Sequence, residues 1–363
     1  IAYILKNRYT LSYLYNLEPC MSFLFLEYND AQIKQRVNAK MLYTSYIEVL
    51  HSYNLSFRYK MLWQKHKDGY ELLAKQHLRT QKREYLGRRD ETTEQIRADF
   101  QKSKSKIKMR LATLKEKMKK EEKLNKLEGI IRAPKELVAI FSKINELGLD
   151  DKVIVIGTNS LYAYEARSGV VIEQEHLATR DIDLLNRKDK GISFIFKEMM
   201  TTKNAIELLH MIDDSFVKSA EVPYRFINDD GVWVELINPL SDSVKQESFK
   251  DNLFADVIPL AIKGMQWLEN SRLFKEFIIG DNGKCAFITT IHPLEYAIYK
   301  NWLAAEESRD YQKHIRDQQQ SKLVTSLIVQ HMPNINIKEE IKNMKHFKKE
   351  IIDDYLLKVL KHI

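Results

Sequence analysis

Cysteine is scarce in this chain, and long apolar runs are missing. The 363 residues include two cysteines, Cys20 and Cys285, which are too few for a disulfide framework or a cysteine zinc site. No stretch reaches the roughly 18 consecutive apolar residues expected of a membrane-spanning helix. We therefore expect a protein without a membrane partner that works in the reducing cytoplasm.

Several familiar catalytic signatures are also absent. The ten histidines form no H-x-x-x-H or H-x-H pair, which argues against a histidine zinc site. The chain contains neither the P-loop pattern G-x-x-x-x-G-K-[ST] nor the G-x-S-x-G nucleophile elbow. Residues 1–30 are rich in apolar and aromatic residues, but charges and Pro19 interrupt them and they lack the layout of a signal peptide. Their structure is not predicted from the sequence.

The net charge of +8 is concentrated in one segment. Residues 101–126 contain eleven Lys and Arg against three Glu, an excess equal to that of the whole chain. We expect one long amphipathic helix over Thr93–Leu127, because apolar residues recur there at helical spacing and Asp90–Glu94 is typical of a helix start. Its lysine-rich face is interpreted as solvated, with nucleic-acid contact as the alternative. The shortage of aromatic residues weakens an argument for single-strand binding.

Composition divides the chain into four parts. After the N-terminal segment 1–30, residues 31–132 are predicted to be helical, since they are rich in helix formers and lack proline. Residues 133–292 mix short strands with helices, and residues 293–363 are predicted to be helical. The fold class expected is α/β (α+β), with a mixed sheet flanked by N-terminal and C-terminal helical regions.

Apolar runs and turn residues place the elements of the third part. Two buried strands are predicted, Lys152–Ile156 and Arg180–Leu185. The turn residues Asn228–Gly231 and Asp281–Gly283 each lie between two strand-like runs and predict two β-hairpins. Helices are expected over Lys135–Leu147, Ser160–Arg167 and Gly191–His210, with a strand at Val170–Glu173.

The most informative stretch is Val153–Leu185. Its first strand ends at Gly157, and Thr158, Asn159 and Ser160 lead into a helix, an arrangement that suits phosphate binding. The glycine lets the backbone approach phosphates closely, and the three polar residues offer hydroxyl, amide and backbone N–H groups. A plain helix N-cap is the alternative, and the two interpretations are compatible.

Three acids follow on strands. Asp181 and Asp183 are two residues apart, so they project from the same face of a strand. Glu235 occurs among apolar residues on a later strand, where an unpaired carboxylate is costly. Three convergent carboxylates can hold two Mg²⁺ ions and a nucleoside triphosphate. The alternatives are that the aspartates cap a turn or lie on a solvent edge, and that Glu235 faces water from an edge strand.

This pattern predicts nucleotidyl transfer. Asp181 and Asp183 would bridge two ions, while Glu235 would complete the second ion site and help to remove the proton of an acceptor hydroxyl. Attack at the α-phosphate of the triphosphate would release pyrophosphate. Arg180 is predicted either to contact phosphate or to pair with a carboxylate. Lys300, on a later helix, is predicted either to reach the triphosphate or to lie on the surface.

The string IGTNSLYAYEARSGV…ATRDIDLL resembles the polymerase-β-like nucleotidyltransferase superfamily, and within it a bacterial subgroup with the motif GTNxLYAYE…ATxDIDLL. The resemblance implies functional positions at Gly157, Ser160, Asp181, Asp183 and Glu235, with Mg²⁺ as cofactor and an NTP as substrate. The chain differs from the usual pattern in having Thr at position 158 and a longer interval before the acid pair. Its third acid is Glu rather than Asp.

The resemblance extends on both sides of this string, over about residues 40–330. Segments near Leu62–Tyr70 and Tyr85–Glu94 are similar to the helical N-terminal part of the subgroup, and Pro293–Lys300 and Arg316–Gln318 are similar to its C-terminal helices. The superfamily includes toxins of toxin–antitoxin and phage-defence systems that modify tRNA or protein. The acceptor implied here is therefore RNA, tRNA, protein or a small molecule.

Two other hypotheses follow from the basic helix. In the first, a catalytically degenerate nucleotidyltransferase fold binds RNA or DNA through the helix. In the second, the helix is a dimerisation strut whose apolar face pairs with a second copy of the chain. The residues of that face are Ile107, Leu111, Leu114 and Met118.

Overall fold

The structure is a computed structural model that describes residues 23–187, 204–237 and 263–362. The molecule has two parts: the arm, residues 30–127, and the body, the described residues from 133 to 362. No helix in these described ranges is long and apolar enough to cross a membrane.

Two long helices form most of the arm. Helix α1 is Asp30–Ser56 and helix α2 is Glu91–Leu127. Both begin with a capping box, in which the side chains of Asn29 and Asp90 accept a backbone N–H from the first turn and the third helical residue returns a bond to the cap. The predicted long basic helix and its start at Asp90 are confirmed.

The two helices of the arm pack antiparallel. Gln35, near the start of α1, donates to Asn125 near the end of α2 at 2.9 Å, whereas Phe57, just beyond α1, contacts the ring of Phe100 near the start of α2. The apolar face of α2 that would form a dimer strut packs against α1 of the same chain, with Leu111 buried in their shared core. The face on which the dimer hypothesis depended is therefore already covered.

A three-stranded antiparallel sheet joins the two helices, so the prediction of a helical region over residues 31–132 is wrong at this point. Its strands are β2 Tyr59–Lys65, β3 Glu71–His77 and β4 Arg83–Arg88, in that order. Positive φ angles at Gly69 (85°) and Gln81 (58°) reverse the chain between them. Leu, Lys and Gln favour helices only weakly, and pairing between strands overrides that preference.

The body contains the predicted mixed sheet. Its order is β5-β7-β10-β9-β8, in which β7 and β10 are parallel and the other pairs are antiparallel. The strand that carries Glu235 is therefore central, and the edge-strand alternative is wrong. The hairpin predicted around Asn228–Gly231 is confirmed. The strands are β5 Val153–Ile156, β7 Asp181–Asn186, β8 Val217–Lys218, β9 Arg225–Ile227 and β10 Trp233–Ile237.

A short pair of strands lies outside this sheet. β1, Leu26–Glu27, pairs antiparallel with β6, Val170–Val171, so the strand predicted at Val170–Glu173 exists but is shorter. Of the helix predicted at Gly191–His210, the structure shows Ala205–His210, and residues 191–203 lie outside the described ranges.

Helices surround the body sheet, and the helical tail predicted after Pro293 is confirmed. The helix predicted at Lys135–Leu147 has these bounds in the structure, and the one predicted at Ser160–Arg167 begins one residue later, after a 3₁₀ turn over Gly157–Ser160. The helices are α3 Lys135–Leu147, α4 Leu161–Ser168, α5 Gln174–Leu177, α6 Ala205–His210, α7 Met265–Asn270, α8 Pro293–Ala304, α9 Tyr311–His331, α10 Ile337–Asn343 and α11 Lys349–Lys358, followed by a 3₁₀ turn over Leu360–His362.

A second predicted hairpin, β11 Leu273–Ile279 with β12 Cys285–Ile291, lies between the arm and the body. Its side chains alternate between two cores. Ile278 and Ile288 pack in the core of the body, whereas Phe277 packs in a second core with Tyr43 of the arm. This shared hairpin fixes the base of the arm to the body.

Candidate active site

Sheet register brings the three predicted acids together. In the parallel pair β7–β10, Asp183 lies opposite Glu235 and Asp181 lies opposite Trp233. Because side chains alternate along a strand and paired residues share a face, all three carboxylates lie on one face of the sheet. They line a single cavity of about 390 Å³, a volume within the range of small-molecule sites.

The predicted corner lies directly beside these acids. Gly157 has φ +72°, and a Cβ at this position would lie 2.5 Å from Oδ2 of Asp183. Only glycine therefore fits here without displacing the carboxylate. Asn159 donates from Nδ2 to the backbone oxygen of Asp181 at 2.6 Å, which ties the corner to the acid strand.

The polar side chains of the corner are held by the protein itself. Gln320 of α9 donates to Oγ1 of Thr158 at 3.0 Å, and Thr290 of β12 donates to Oγ of Ser160 at 2.7 Å. Gly157 and Thr158 line the cavity, whereas the side chains of Asn159 and Ser160 are buried away from it. Contact between these four residues and a nucleotide remains a prediction, with the backbone of the corner as the part best placed for it.

Basic residues from the helical elements also line the cavity and form its cationic wall. Lys263, Lys300, Arg309 and Arg316 line it; Lys263 precedes α7, Lys300 lies on α8, Arg309 precedes α9 and Arg316 lies on α9. The cavity thus has three carboxylates on the sheet side, and four cations together with the carboxylate of Glu306 on the helix side. This arrangement suits a ligand carrying both metal ions and phosphates.

Lys300 is buried, so its predicted surface alternative is wrong. It donates to Oδ1 of Asp317 at 2.6 Å, and Arg309 donates to Oδ2 of the same carboxylate at 2.8 Å. Burial lowers the pKa of Lys300, and the charge of Asp317 opposes that shift. Asp317 therefore fixes two cations of the cavity wall. Sequence reasoning did not assign a role to Asp317 or Arg309, because both lie in a polar and charged stretch of the sequence from which neither residue stands out.

The two remaining arginines differ in position. Arg316 has a buried Nε without a hydrogen-bond partner among the described residues, and its charge lowers the pKa of Asp183. Arg180 is exposed and does not line the cavity; its backbone oxygen accepts a bond from Trp233. Sequence reasoning thus named Arg180 and missed Arg316, because only the fold brings α9 to the acids.

Comparison with protein families agrees with this geometry. A family model described as nucleotidyltransferase matches residues 135–344, which is more than half of the chain. The chain belongs to this nucleotidyltransferase family. No curated protein and no solved structure matches it. The matched range of this nucleotidyltransferase holds the corner, the three acids and the cationic wall, and it leaves out the arm.

The electrostatics of this nucleotidyltransferase fit a divalent cation. Burial, followed by the charges of Glu235 and Asp181, raises the pKa of Asp183 to about 7, although its oxygens still border the cavity. Arg225 donates from Nε and Nη2 to Oε1 of Glu235 at 2.9 and 2.6 Å, so Oε2 is the oxygen left for a cation. Crowded carboxylate oxygens of this kind are the ligands that Mg²⁺ prefers.

A more compact group of possible metal ligands occurs elsewhere in the described residues. Glu173, Glu175 and His176 have ligand atoms within 4.8 Å of one another. The two glutamates are exposed, and exposed acids commonly cluster without an ion. The ligand atoms of Asp181, Asp183 and Glu235 do not all lie within that distance of one another.

Proposed function

We propose that this nucleotidyltransferase moves an NMP from an NTP to a hydroxyl group, with Mg²⁺ held by Asp181, Asp183 and Glu235. One observation carries the proposal: three carboxylates on neighbouring strands and four cations from the helical elements line one cavity. Binding only a triphosphate would not need three crowded acids, and binding only a metal would not need the cations.

In this proposal, different residues bind the phosphates and remove the proton of the acceptor. The backbone at Gly157 approaches the phosphates, while Lys300, Arg309 and Arg316 bind the β- and γ-phosphates that leave as pyrophosphate. When bound, Mg²⁺ supplies charge neutralisation and favours the ionised form of the acceptor hydroxyl. Glu235 accepts the proton of that hydroxyl, whose oxygen bonds to the α-phosphorus as the bond to the β-phosphate oxygen breaks.

The acceptor is inferred from the sequence resemblance. Within this proposal it is RNA, such as tRNA, a protein hydroxyl or a small molecule, and the biological role is that of a toxin or phage-defence component. The support is the resemblance of the corner and acid motifs.

A labelling experiment tests the enzyme. The purified protein is incubated with each α-labelled NTP, Mg²⁺ and total cellular RNA, beside Asp181→Ala/Asp183→Ala and the exposed control Glu221→Gln. We expect label on RNA or on the protein itself with the wild type and the control, and none with the double variant. Transfer that persists in the double variant would show that these acids do not hold the metal.

The second candidate function is a catalytically degenerate fold that binds nucleic acid through the basic helix α2. The charge of that helix supports it. This hypothesis predicts binding that weakens steeply with salt and does not need Mg²⁺. If no NTP labels any acceptor and Mg²⁺ does not affect nucleotide binding, this second candidate replaces the first.

A further inference from the structure

The positive charge of the molecule is concentrated in the end of the arm that lies away from the body, and this end includes more than helix α2. Residues 57–110 contain 16 Lys and Arg against seven Asp and Glu, a net charge of +9, whereas the rest of the chain has a net charge of −1. This distal basic surface, residues 57–110, comprises the sheet β2–β4 and the first part of α2.

The register of the small sheet separates its two faces. Gly87 approaches the side chain of Thr93 at the start of α2, and the guanidinium of Arg97 on α2 lies over the ring of Trp63. This face is therefore covered by the helix. Lys60 and Arg83 lie in one cross-strand row of the opposite face, and both are exposed.

Four of the seven acids of this surface are already engaged. Arg89 bonds both Glu71 and Glu94, Lys75 pairs with Glu84, and Asp90 caps α2. A set of lysines makes no ion pair with any described residue and is available to an external anion. These are Lys60, Lys65, Lys67, Lys82, Lys102, Lys106 and Lys108.

On α2 the cations are closely spaced. Lys102, Lys106 and Arg110 follow one another at i, i+4 and i+8, which places them in a single row along the helix. No acid occurs between Asp99 and Glu116. A row of unneutralised cations at the same end of the arm as a cationic sheet face suits a polyanion with regularly spaced charges.

The aromatic side chains favour a duplex over a single strand. The ring of Trp63 lies under Arg89 and Arg97, and that of Tyr59 lies under Lys75, so a cation already covers a face of each ring. Tyr85 is 51% exposed. Single-strand binding uses successive exposed rings, whereas double-stranded RNA is recognised through its shape and backbone.

We propose that the distal basic surface binds the double-stranded stem of a folded RNA that serves as acceptor. The inference rests on the proposed function, since a folded RNA carries both a stem and a terminal hydroxyl. Helix α2 has 37 residues and so spans about 55 Å. The arm therefore holds the stem at a distance from the cavity, and the free end of the same RNA reaches the three acids.

Binding is measured by fluorescence anisotropy with an RNA hairpin that has a single-stranded 3′ end, in EDTA and over a series of salt concentrations. The distal variant is Lys60→Glu/Arg83→Glu/Lys102→Glu/Lys106→Glu. The matched control reverses four lysines on the proximal half of the same helix, Lys115, Lys117, Lys119 and Lys120, each to Glu. Distal Lys/Arg→Gln changes at the same four positions serve as a milder second variant, and circular dichroism checks that each protein is folded.

We expect the distal variant to bind at least about tenfold more weakly and to lose about three to four units of the slope of log Kd against log salt concentration. The Gln variant should fall between it and the wild type, and the proximal control should bind more tightly than both. Equal losses in the distal variant and the proximal control would overturn the assignment of the surface. Equal or tighter binding of a DNA hairpin, or of an unpaired RNA, would overturn the commitment to an RNA stem.

Failure of this inference is distinguishable from failure of the proposed function. Asp181→Ala/Asp183→Ala should bind the hairpin as the wild type does, because the arm is intact. If the protein transfers label but the distal variant keeps full affinity, the surface is wrong and the enzyme stands. If hairpin binding depends on the distal cations but no NTP yields label, the surface stands and the proposed transfer to RNA fails.

Discussion

The body and the arm use charge in opposite ways. In the body, Lys300 and Asp317 are buried and each is fixed by a partner, so charge sets the geometry of a cavity. In the arm, pairs such as Glu116 and Lys119 are exposed, and most cations project into water. The comparison shows that buried charge positions groups precisely at a cost in desolvation, whereas exposed charge provides attraction that salt can screen.

The largest expected effect is on stability, and it compares one ion pair from each region. Asp317→Asn leaves Lys300 and Arg309 without their shared carboxylate in a buried position and should lower the free energy of unfolding by about 3–5 kcal/mol. Glu116→Gln removes an exposed partner on α2 and should cost about 0.5 kcal/mol or less. Urea unfolding measures both. Equal losses of unfolding free energy in the two variants would contradict the difference between the buried ion pair of the body and the exposed ion pair of the arm.

A second effect depends on pH. The pKa of Asp183 is raised to about 7 in the folded protein, above the unfolded value of about 3.9, so the folded state holds this proton more tightly. The metal-free protein should therefore lose stability as pH rises from about 4 to about 7, by at most about 4 kcal/mol. Unfolding in EDTA across this window measures the loss. Asp183→Asn should remove that dependence, and an unchanged slope in this variant would contradict the assignment.

A third prediction compares two glycines with nearly the same backbone. Gly157 and Gly169 have φ of +72° and +70°, but a Cβ at Gly169 meets no atom within 4 Å. Each change to Ala should cost about 1 kcal/mol of stability. Only Gly157→Ala displaces Asp183, and it should slow nucleotide transfer by about 100-fold. Similar transfer rates in the two variants, measured at saturating NTP, would show that the corner does not set the position of the acid.

The sequence predicts the acid side of the cavity well because its signals are local. Gly157, Asp181 and Asp183 lie within one short stretch of the sequence with a clear strand before Gly157 and a strand-like run at the acids, and Glu235 follows a clear hairpin turn. The cationic wall depends on contacts between distant segments, so Arg309 and Arg316 had no local signal that separates them from surface residues. The sheet of the arm was missed for a related reason: its strands contain residues that also suit a helix, and pairing across the hairpins decides between the two.

The hairpin β11–β12 contributes side chains to both the core of the body and the core at the base of the arm. Residues 135–344 by themselves would keep the cavity but would leave Phe277 and Ile279 facing water where Tyr43 and Tyr46 now cover them. They would also lose Tyr355, which lies in the core of the body beyond that range. A piece limited to residues 135–344 would therefore expose apolar surface that the arm and the C-terminal helix α11 bury in the full chain.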